Sequence, residues 1–413
     1  LQATSTLNVV LDGDLQIDTK SANEAQGIYF KSENNHHGTI GAKNISINAV
    51  SIDGAANGIK SFQENNGYDA SANSKIMTGD LLVKVNGKTE AYGLNIGKKT
   101  DVLVTNAVID AAADEIVSGI QLKANDYFGN TSSFTATGNL NLKAVAASGI
   151  ANGIISFIPD NNEYGVNTIT LKNSNIEVSA KGDASGIELG RHTDGEFQGK
   201  TEVMAVSATG TAYGVNYHSE NSGSTYTSQG VKFEGGLQAE AVAESGNAYA
   251  VNAAAGGNVY IHKGLNAYAT ATGDAYALKA DNSSKIKINE KDNAYEADDG
   301  ALGAVHLQGD VLSTNSSYIS AFLSTSDSFL SGSSNKDSGS TVNLSFGDGA
   351  KWNMTGDSQV DDLTVGNGTV IDMSSDQGNA STLKVQNLKG SGAAFVMEVT
   401  ENGNDKLIVN GTS

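Results

Sequence analysis

The stretch Tyr92-Gly93-Leu94-Asn95-Ile96 recurs in varied form along this chain and decides its fold. Each copy has a small residue, then an aliphatic residue, and a further apolar residue shortly after it. The small residues are Gly27, Gly58, Gly93, Gly119, Gly153, Gly186, Gly214, Ala250 and Ala277, spaced by 26 to 36 residues. Self-similarity at such a period is typical of solenoids and other repeat proteins.

Alternating apolar runs lie between these copies and indicate further strands. Examples are Ile45-Ser46-Ile47-Asn48-Ala49 and Leu140-Asn141-Leu142-Lys143-Ala144, and often a third run such as Ala241-Val242-Ala243-Glu244 follows. Period-two alternation predicts strands with one buried face. Three short strands in roughly 30 residues form one coil, which must stack on its neighbours to bury that face. We therefore predict an all-β, right-handed, three-sided parallel β-helix in a single elongated domain. A β-sandwich or propeller is the alternative, but four regular strands per blade are not visible.

The small residue of each copy needs a physical reason. At a β-helix corner it is required either because only a small side chain fits, or because the backbone adopts a φ that favours glycine. Since Ala replaces Gly at Ala250 and Ala277, we predict that size is the constraint.

Composition excludes several classes of function. The 413 residues include 48 Gly, one Pro and no Cys, and carry a formal net charge of −20. Such a charge repels phosphate backbones and disfavours nucleic-acid binding. Without cysteine there are no thiolate metal sites, disulfides or thiol nucleophiles, which also suits export in an unfolded state. No apolar run of about 18 residues is present, so we expect any export signal or membrane anchor to lie outside this sequence.

The C-terminal region carries a family resemblance. It reads Trp352-Asn353-Met354-Thr355-Gly356-Asp357-Ser358, then Leu383-Lys384-Val385-Gln386-Asn387-Leu388-Lys389-Gly390, and finally Asp405-Lys406-Leu407-Ile408-Val409-Asn410-Gly411. These spaced elements resemble the end of pertactin-like autotransporter passengers, over about 75 residues. The rest of the chain matches only the general logic of a solenoid.

The resemblance implies a passenger that is exported across the outer membrane to the bacterial cell surface. Residues 1–315 would then be the repeat region, and residues 316–413 the C-terminal rungs that act as a folding nucleus ahead of an outer-membrane β-barrel of the same polypeptide. The residues themselves agree, because the chain has the large side chains that a capping core needs: Trp352, Met354, Met373, Phe395 and Met397.

Catalytic motifs find little support, so we predict no enzymatic activity, no cofactor and no metal site. Gly356-Asp357-Ser358 resembles part of a serine-protease nucleophile motif, but Gln359 follows it and it lies inside the C-terminal resemblance; a turn between rungs explains it better. The six histidines show no metal-ligand spacing. Since Arg191 is the one arginine, a polysaccharide-acting β-helix enzyme is a poorly supported alternative.

Insertions indicate where a ligand would bind, because a solenoid tolerates them on its variable edge. We expect them directly after the repeat motif, stacked along one edge, at Lys31–Thr39, Gln63–Lys75, Asn125–Ser133, Pro159–Asn167, Arg191–Lys200 and His218–Gln229. Exposed tyrosines among small polar residues are common in recognition surfaces. The candidate binding residues are Tyr68, Tyr127, Phe128, Tyr164, His192, Phe197, Tyr217 and Tyr226. Simple solvated corner loops remain the alternative, as does weak Ca²⁺ coordination at 159–163.

Two functions follow from this interpretation. The first is an adhesin that binds a host protein or glycan through the loops of the first half, with the second half as a stalk. The second is a passenger that pairs with another copy of itself and causes cell aggregation and biofilm formation, through many modest contacts multiplied by avidity. A vacuolating cytotoxin is a more distant third.

Overall fold

The computed structural model describes residues 2–3, 8–32, 38–63, 73–123, 131–156, 166–190, 192–218, 230–290, 302–374, 380–400 and 403–411. Within these ranges the chain forms strands β1 to β38, numbered in chain order, and no helix. The strands of successive coils pair in parallel and wind into a right-handed, three-sided β-helix, the hand that nearly all parallel crossovers take. The predicted fold class is confirmed.

Face 1 of the helix is a twelve-stranded parallel sheet that carries the repeat motif. Its strands are β1 (Gln2–Ala3), β4 (Ala25–Ser32), β6 (Ala56–Gln63), β8 (Glu90–Ile96), β10 (Ile116–Leu122), β12 (Ile150–Ser156), β14 (Ala184–Leu189), β17 (Ala212–His218), β20 (Ala248–Ala254), β23 (Ala275–Ala280), β26 (Asp310–Ser313) and β29 (Ser334–Lys336).

Faces 2 and 3 share five long bent strands, which are β5 (Thr39–Ser51), β7 (Ser74–Asn86), β9 (Thr100–Ala113), β11 (Ser133–Ala146) and β13 (Asn167–Ala180). Elsewhere face 2 has β2 (Asn8–Val10), β15 (Thr193–Phe197), β18 (Val231–Phe233), β21 (Asn258–Ile261), β24 (Lys285–Ile288), β27 (Tyr318–Leu323) and β30 (Thr341–Phe346). Face 3 has β3 (Leu15–Ser21), β16 (Thr201–Ser207), β19 (Leu237–Ala243), β22 (Leu265–Ala271), β25 (Val305–Gln308), β28 (Phe329–Ser331), β31 (Lys351–Asn353), β33 (Val370–Asp372) and β35 (Ala394–Val396).

The last coils continue the same stack. The strands are β32 (Ser358–Val365), β34 (Thr382–Gly390) and β38 (Lys406–Val409), beside a short antiparallel pair, β36 (Val399–Thr400) and β37 (Gly403–Asn404). β32 begins beside face 1, where the backbone N of Ser334 donates to Ser358 Oγ at 3.1 Å, and its second half pairs with β30 on face 2. Stacking also runs across position 315, because β24 pairs with β27.

Aliphatic side chains form the core as columns along the helix axis. On face 1 the residue after each small residue points inward and is completely buried: Ile28, Ile59, Leu94, Ile120, Ile154, Ile187, Val215, Val251 and Leu278. The strands of faces 2 and 3 alternate buried and exposed residues, so each coil closes a continuous apolar interior.

The glycine column of face 1 is required by close packing across the core. A Cβ at Gly93 would lie 2.4 Å from Ile109 Cγ2 on face 3 and 2.4 Å from the carbonyl oxygen of Gly119 in the next coil. A Cβ at Gly186 would lie 2.0 Å from Val203 Cγ1. None of these glycines has a left-handed φ. Size is therefore the constraint, as predicted.

The change from Gly to Ala follows the residue on the opposite wall. Val203 on face 3 is in register with Ala239 of the next coil, and Ala239 with Ala267 of the coil after it. A Cβ at Gly214 would meet Ala239 Cβ at 3.2 Å, a much weaker side-chain contact than the one at Gly186, and would still lie 2.6 Å from the carbonyl oxygen of Ala250. The copy that follows has Ala250, which is fully buried. Where the opposite wall is small, a methyl group fits.

Side-chain amides cap the bend between faces 2 and 3. Asn106 Nδ2 donates to Asp80 Oδ1 at 2.9 Å, and Asn106 Oδ1 accepts the backbone N of Asn139 at 3.0 Å. Asn173 Nδ2 then donates to Asn139 Oδ1 at 3.1 Å. We call this chain of side-chain hydrogen bonds the Asn–Asp ladder. It provides hydrogen-bond partners for backbone groups that lose their strand pairing at the bend.

The large residues of the C-terminal coils form the predicted core, with one exception. Trp352 is fully buried and its Nε1 donates to the carbonyl oxygen of Gly332 at 2.9 Å. Met354 and Met373 are also buried, whereas Met397 is 43% exposed, so its assignment to this core is wrong. Met397 follows β35, where no further residue of that face covers it within the described chain.

We expect Gly186→Ala to lower the urea midpoint, by an overpacking cost of about 1–3 kcal/mol. Val203→Ala also destabilises, through the lost apolar contacts. The double variant should lose at least about 0.5 kcal/mol less free energy of unfolding than the two single variants lose together. The reason is that removing Val203 Cγ1 relieves the main side-chain clash. The exchange Ala250→Gly is the matched control and should cost no more than about 1 kcal/mol. Strict additivity of the two changes at 186 and 203 would contradict the size constraint.

Candidate functional site

Five long crossings connect strands of face 1 to strands of face 2 at one corner, which we call the insertion corner. The described strand ends place these crossings between residues 32 and 39, 63 and 74, 122 and 133, 156 and 167, and 218 and 231. Short crossings at 97–99, 190–192 and 255–257 pass the same corner. The prediction that the insertions occupy one place in the repeat is confirmed for these five.

The sixth predicted insertion, Arg191–Lys200, is wrong. Residues 193–197 form β15 on face 2, and residues 198–200 form the turn into β16. Phe197 points inward, is fully buried, and stacks on Phe233 with the ring centroids 4.6 Å apart. The alternation Thr193-Asp194-Gly195-Glu196-Phe197 marks a strand, and it is easily missed because it is short and follows a polar turn.

Two further candidate residues are also buried. Tyr217 is fully buried and its hydroxyl donates to the carbonyl oxygen of Thr193 at 3.3 Å. It occupies the apolar position of its repeat copy, where Ile96 and Leu122 also point inward. His192 is 2% exposed and has a left-handed φ of 57° in the short crossing. The expected exposure of His192, Phe197 and Tyr217 is therefore wrong.

The remaining candidate residues lie outside the described ranges. They are Tyr68, Tyr127, Phe128, Tyr164 and Tyr226, and the segment 159–163 considered for Ca²⁺ lies there too. Their part in binding stays a prediction.

A stack of three tyrosines lies on the outer surface of face 1. Tyr213, Tyr249 and Tyr276 occupy the same register position in successive coils. Tyr213 and Tyr249 have ring centroids 5.0 Å apart, and Tyr249 and Tyr276 5.6 Å, with interplanar angles of 12° and 13°. Lys279 Nζ lies 5.0 Å from the Tyr249 ring centroid, a cation–π distance. We missed this stack in the sequence, although a Tyr precedes the small residue in all three copies.

Polar side chains run beside the stack, towards the insertion corner. Asn252 Nδ2 donates to Asn216 Oδ1 at 2.8 Å. Glu188 Oε1 lies 3.6 Å from Nε2 of His218, the residue from which the crossing to Val231 begins. We call the three stacked tyrosines with Asn216, Asn252 and Lys279 the tyrosine face.

The hydroxyls of Tyr213 and Tyr276 remain protonated at neutral pH. Burial, with smaller contributions from neighbouring tyrosine and carboxyl groups, raises the pKa of Tyr213 and of Tyr276 to about 12. Since the rings cover one another and Tyr249 is only 8% exposed, the stack offers mainly the hydroxyls and ring edges of Tyr213 and Tyr276 to a ligand. Neutral donors beside side-chain amides can bind the hydroxyls of a glycan or the backbone of a peptide.

The motif considered for serine-protease chemistry is held by contacts between coils. Ser358 is 3% exposed, and its Oγ accepts from Ser334 N and donates to the carbonyl oxygen of Gly356 at 3.1 Å. Asp357 Oδ1 accepts the backbone N of Thr382 at 2.7 Å. In the described part of the chain no group of three His, Cys, Asp or Glu side chains is placed to hold a metal ion.

No helix among the described residues is long and apolar enough to cross a membrane. Comparisons with protein-family models, with curated proteins and with solved structures found no match. The resemblance of the C-terminal region to autotransporter passengers therefore stays an expectation from the sequence.

Proposed function

We propose that this protein is a surface-displayed autotransporter passenger that acts as an adhesin. It binds a host protein or glycan through the insertion corner and the adjoining tyrosine face. The observation that carries the proposal is that five insertions leave a regular rod at the same corner. Binding segments are commonly loops positioned on a rigid scaffold.

The rod would make such loops effective as a group. Parallel coils hold the loop ends at fixed spacings, in multiples of roughly 4.8 Å. Several modest contacts to one extended ligand then add as avidity, since the scaffold has already ordered the loop ends. The net charge of −20 favours partners other than nucleic acid. In this proposal the partner in the same polypeptide is an outer-membrane β-barrel, which would hold the rod at the cell surface.

Shortening three of the five insertions should weaken adhesion and leave the rod intact. The chain offers a native template, because Ile96 and Thr100 are joined across the same corner by only 97–99. Grafting Gly-Lys-Lys in place of 64–73, 123–132 and 219–230 should reduce binding of cells that display the chain to arrayed host matrix proteins and glycans by at least tenfold.

A matched control uses an insertion at a different corner. The crossing between β24 and β25, which contains residues 291–301, joins face 2 to face 3. Replacing 291–301 by a short Gly-Ser linker should leave binding unchanged. Equal losses in the graft and in this control, or full binding by a correctly folded graft, would rule out the insertion corner as the adhesive site.

Self-association is a second candidate function, favoured by a column of alternating charges on face 3. Lys84, Asp110, Lys143 and Glu177 are in register in four successive coils and point outward. In the described chain none of the four forms an ion pair within its own molecule. We call these four residues the charge column.

The charge column is complementary to itself in an antiparallel pair. A two-fold axis along the strand direction, between the coils of Asp110 and Lys143, places Asp110 of one copy opposite Lys143 of the other. The same axis places Lys84 opposite Glu177. Beside the column, Leu82 and Val108 are 48% and 45% exposed, and this pairing would cover them.

Charge reversal at the centre of this pairing gives a test by exchange. Asp110→Lys alone and Lys143→Glu alone each place like charges opposite one another in a homodimer, which costs stability. An equimolar mixture of the two variants restores every pair, so we expect it to associate at least tenfold more tightly than either variant alone. Sedimentation of a concentration series measures this. Equal association of mixture and single variants would exclude the pairing.

A further inference from the structure

A cleft lies on face 3 near the C-terminal end of the helix, far along the rod from the charge column. It has a volume of about 480 Å³ and is lined by Gln308, Asp327, Phe329, Ser331, Lys351 and Asn353, among others. This volume falls in the range of small-ligand sites, roughly 300–1,000 Å³. None of these residues belongs to the insertion corner, the tyrosine face or the charge column.

The register of the strands explains the cleft. Gln308, Ser331 and Asn353 follow one another in successive coils and point outward from β25, β28 and β31. The small side chain of Ser331 stands between two long amides, so it leaves a gap with a hydroxyl at its floor. Amides at both ends of this gap can donate and accept hydrogen bonds.

An aromatic wall borders this gap. Phe329 lies two residues before Ser331 on the same strand and is half-buried. Its ring stacks on His306 of the preceding coil, with centroids 4.9 Å apart and an interplanar angle of 17°. The stack fixes the ring in place and supplies an apolar contact surface beside the polar gap.

The turn before β28 is held in a defined shape and carries a carboxylate to the cleft. Ser328 is buried; its backbone N donates to the carbonyl oxygen of Thr325 at 2.9 Å, and its Oγ accepts the backbone N of Val305 at 3.0 Å. Asp327 of this turn and Lys351 of β31 are both exposed lining residues. In the described chain neither forms an ion pair.

We propose that this cleft binds one unit of a saccharide. A sugar presents hydroxyls that donate and accept, and C–H groups that pack on an aromatic ring. The cleft combines two amides, a carboxylate, an ammonium and a hydroxyl with Phe329, which matches both kinds of group. A simple anion would meet the Asp327 carboxylate, and a simple cation would meet the Lys351 ammonium, so neither fits as well as a polyol.

Saturation-transfer NMR on the whole chain tests the proposal with four probes: glucose, galactose, N-acetylglucosamine and N-acetylneuraminic acid. We expect at least one to bind. Gln308→Ala and Asn353→Ala should each weaken that binding about three- to tenfold, the effect of losing one hydrogen bond. Ser331→Leu fills the gap and should abolish binding without removing a polar partner other than one hydroxyl.

Asn141→Ala is the matched control, an exposed amide on the same face in a distant coil, and should leave the signal unchanged. Unchanged urea midpoints would confirm that the variants fold. Persistent binding by Ser331→Leu overturns the proposal, as does the absence of signal from all four sugars. A signal from free lysine or glutamate alone would assign the cleft to a charged amino acid and overturn it equally. Loss of adhesion in the insertion grafts has no bearing on this result, because the sites share no residue.

Discussion

The fold depends on how closely face 1 approaches face 3 across the core. At Gly93 and Gly186 a single added carbon would overlap an aliphatic side chain of face 3 and also the carbonyl of the next coil. The approach lets Ile109 and Val203 fill the space between faces 1 and 3. The clash with a face 3 side chain recurs at Gly27, Gly58, Gly119 and Gly153, so the constraint applies to the coils from Gly27 to Gly186.

Parallel stacking turns every outward position into a column along the rod. The tyrosine face, the Asn–Asp ladder and the charge column each result from one residue type, or one alternation, kept in register over successive coils. Columns on different faces share no side chains, so each can change without altering the others. Five of the long crossings in the described chain lie at the insertion corner, between strands of face 1 and strands of face 2.

Much of this could be predicted from the sequence, and the failures have physical causes. Period-two alternation and the small-residue repeat were enough to predict the fold and the role of glycine size. The sequence did not reveal Phe197 as a core residue, since a five-residue strand between polar turns carries a weak periodic signal. Tyr217 was misjudged because its residue type suggested exposure, although its repeat position required burial.

The tyrosine face escaped prediction for a different reason. Stacking between coils depends on the register of strands separated by 36 and 27 residues, as from Tyr213 to Tyr249 and on to Tyr276. Alternation within one strand shows only that these side chains point outward. The sequence contained the repeated Tyr, but only the pairing of coils shows that the rings touch.

Beside the tyrosine stack, alanines occupy core positions where earlier coils have larger aliphatic side chains, as where Ala239 and Ala267 follow Val203 in register. The coils that carry Tyr249 and Tyr276 have Ala239, Ala267 and Ala250 at the centre of their core. Alanines bury less apolar area than the Val and Ile of earlier coils, at roughly 25 cal/mol for each Å². Stacked rings outside restore part of that loss, by about 0.5–1.5 kcal/mol for each aromatic pair. The same contacts cover the ring faces, so the proposed recognition at the tyrosine face would use hydroxyls and amides instead. Stability and the proposed specificity would then depend on different atoms of the same side chains.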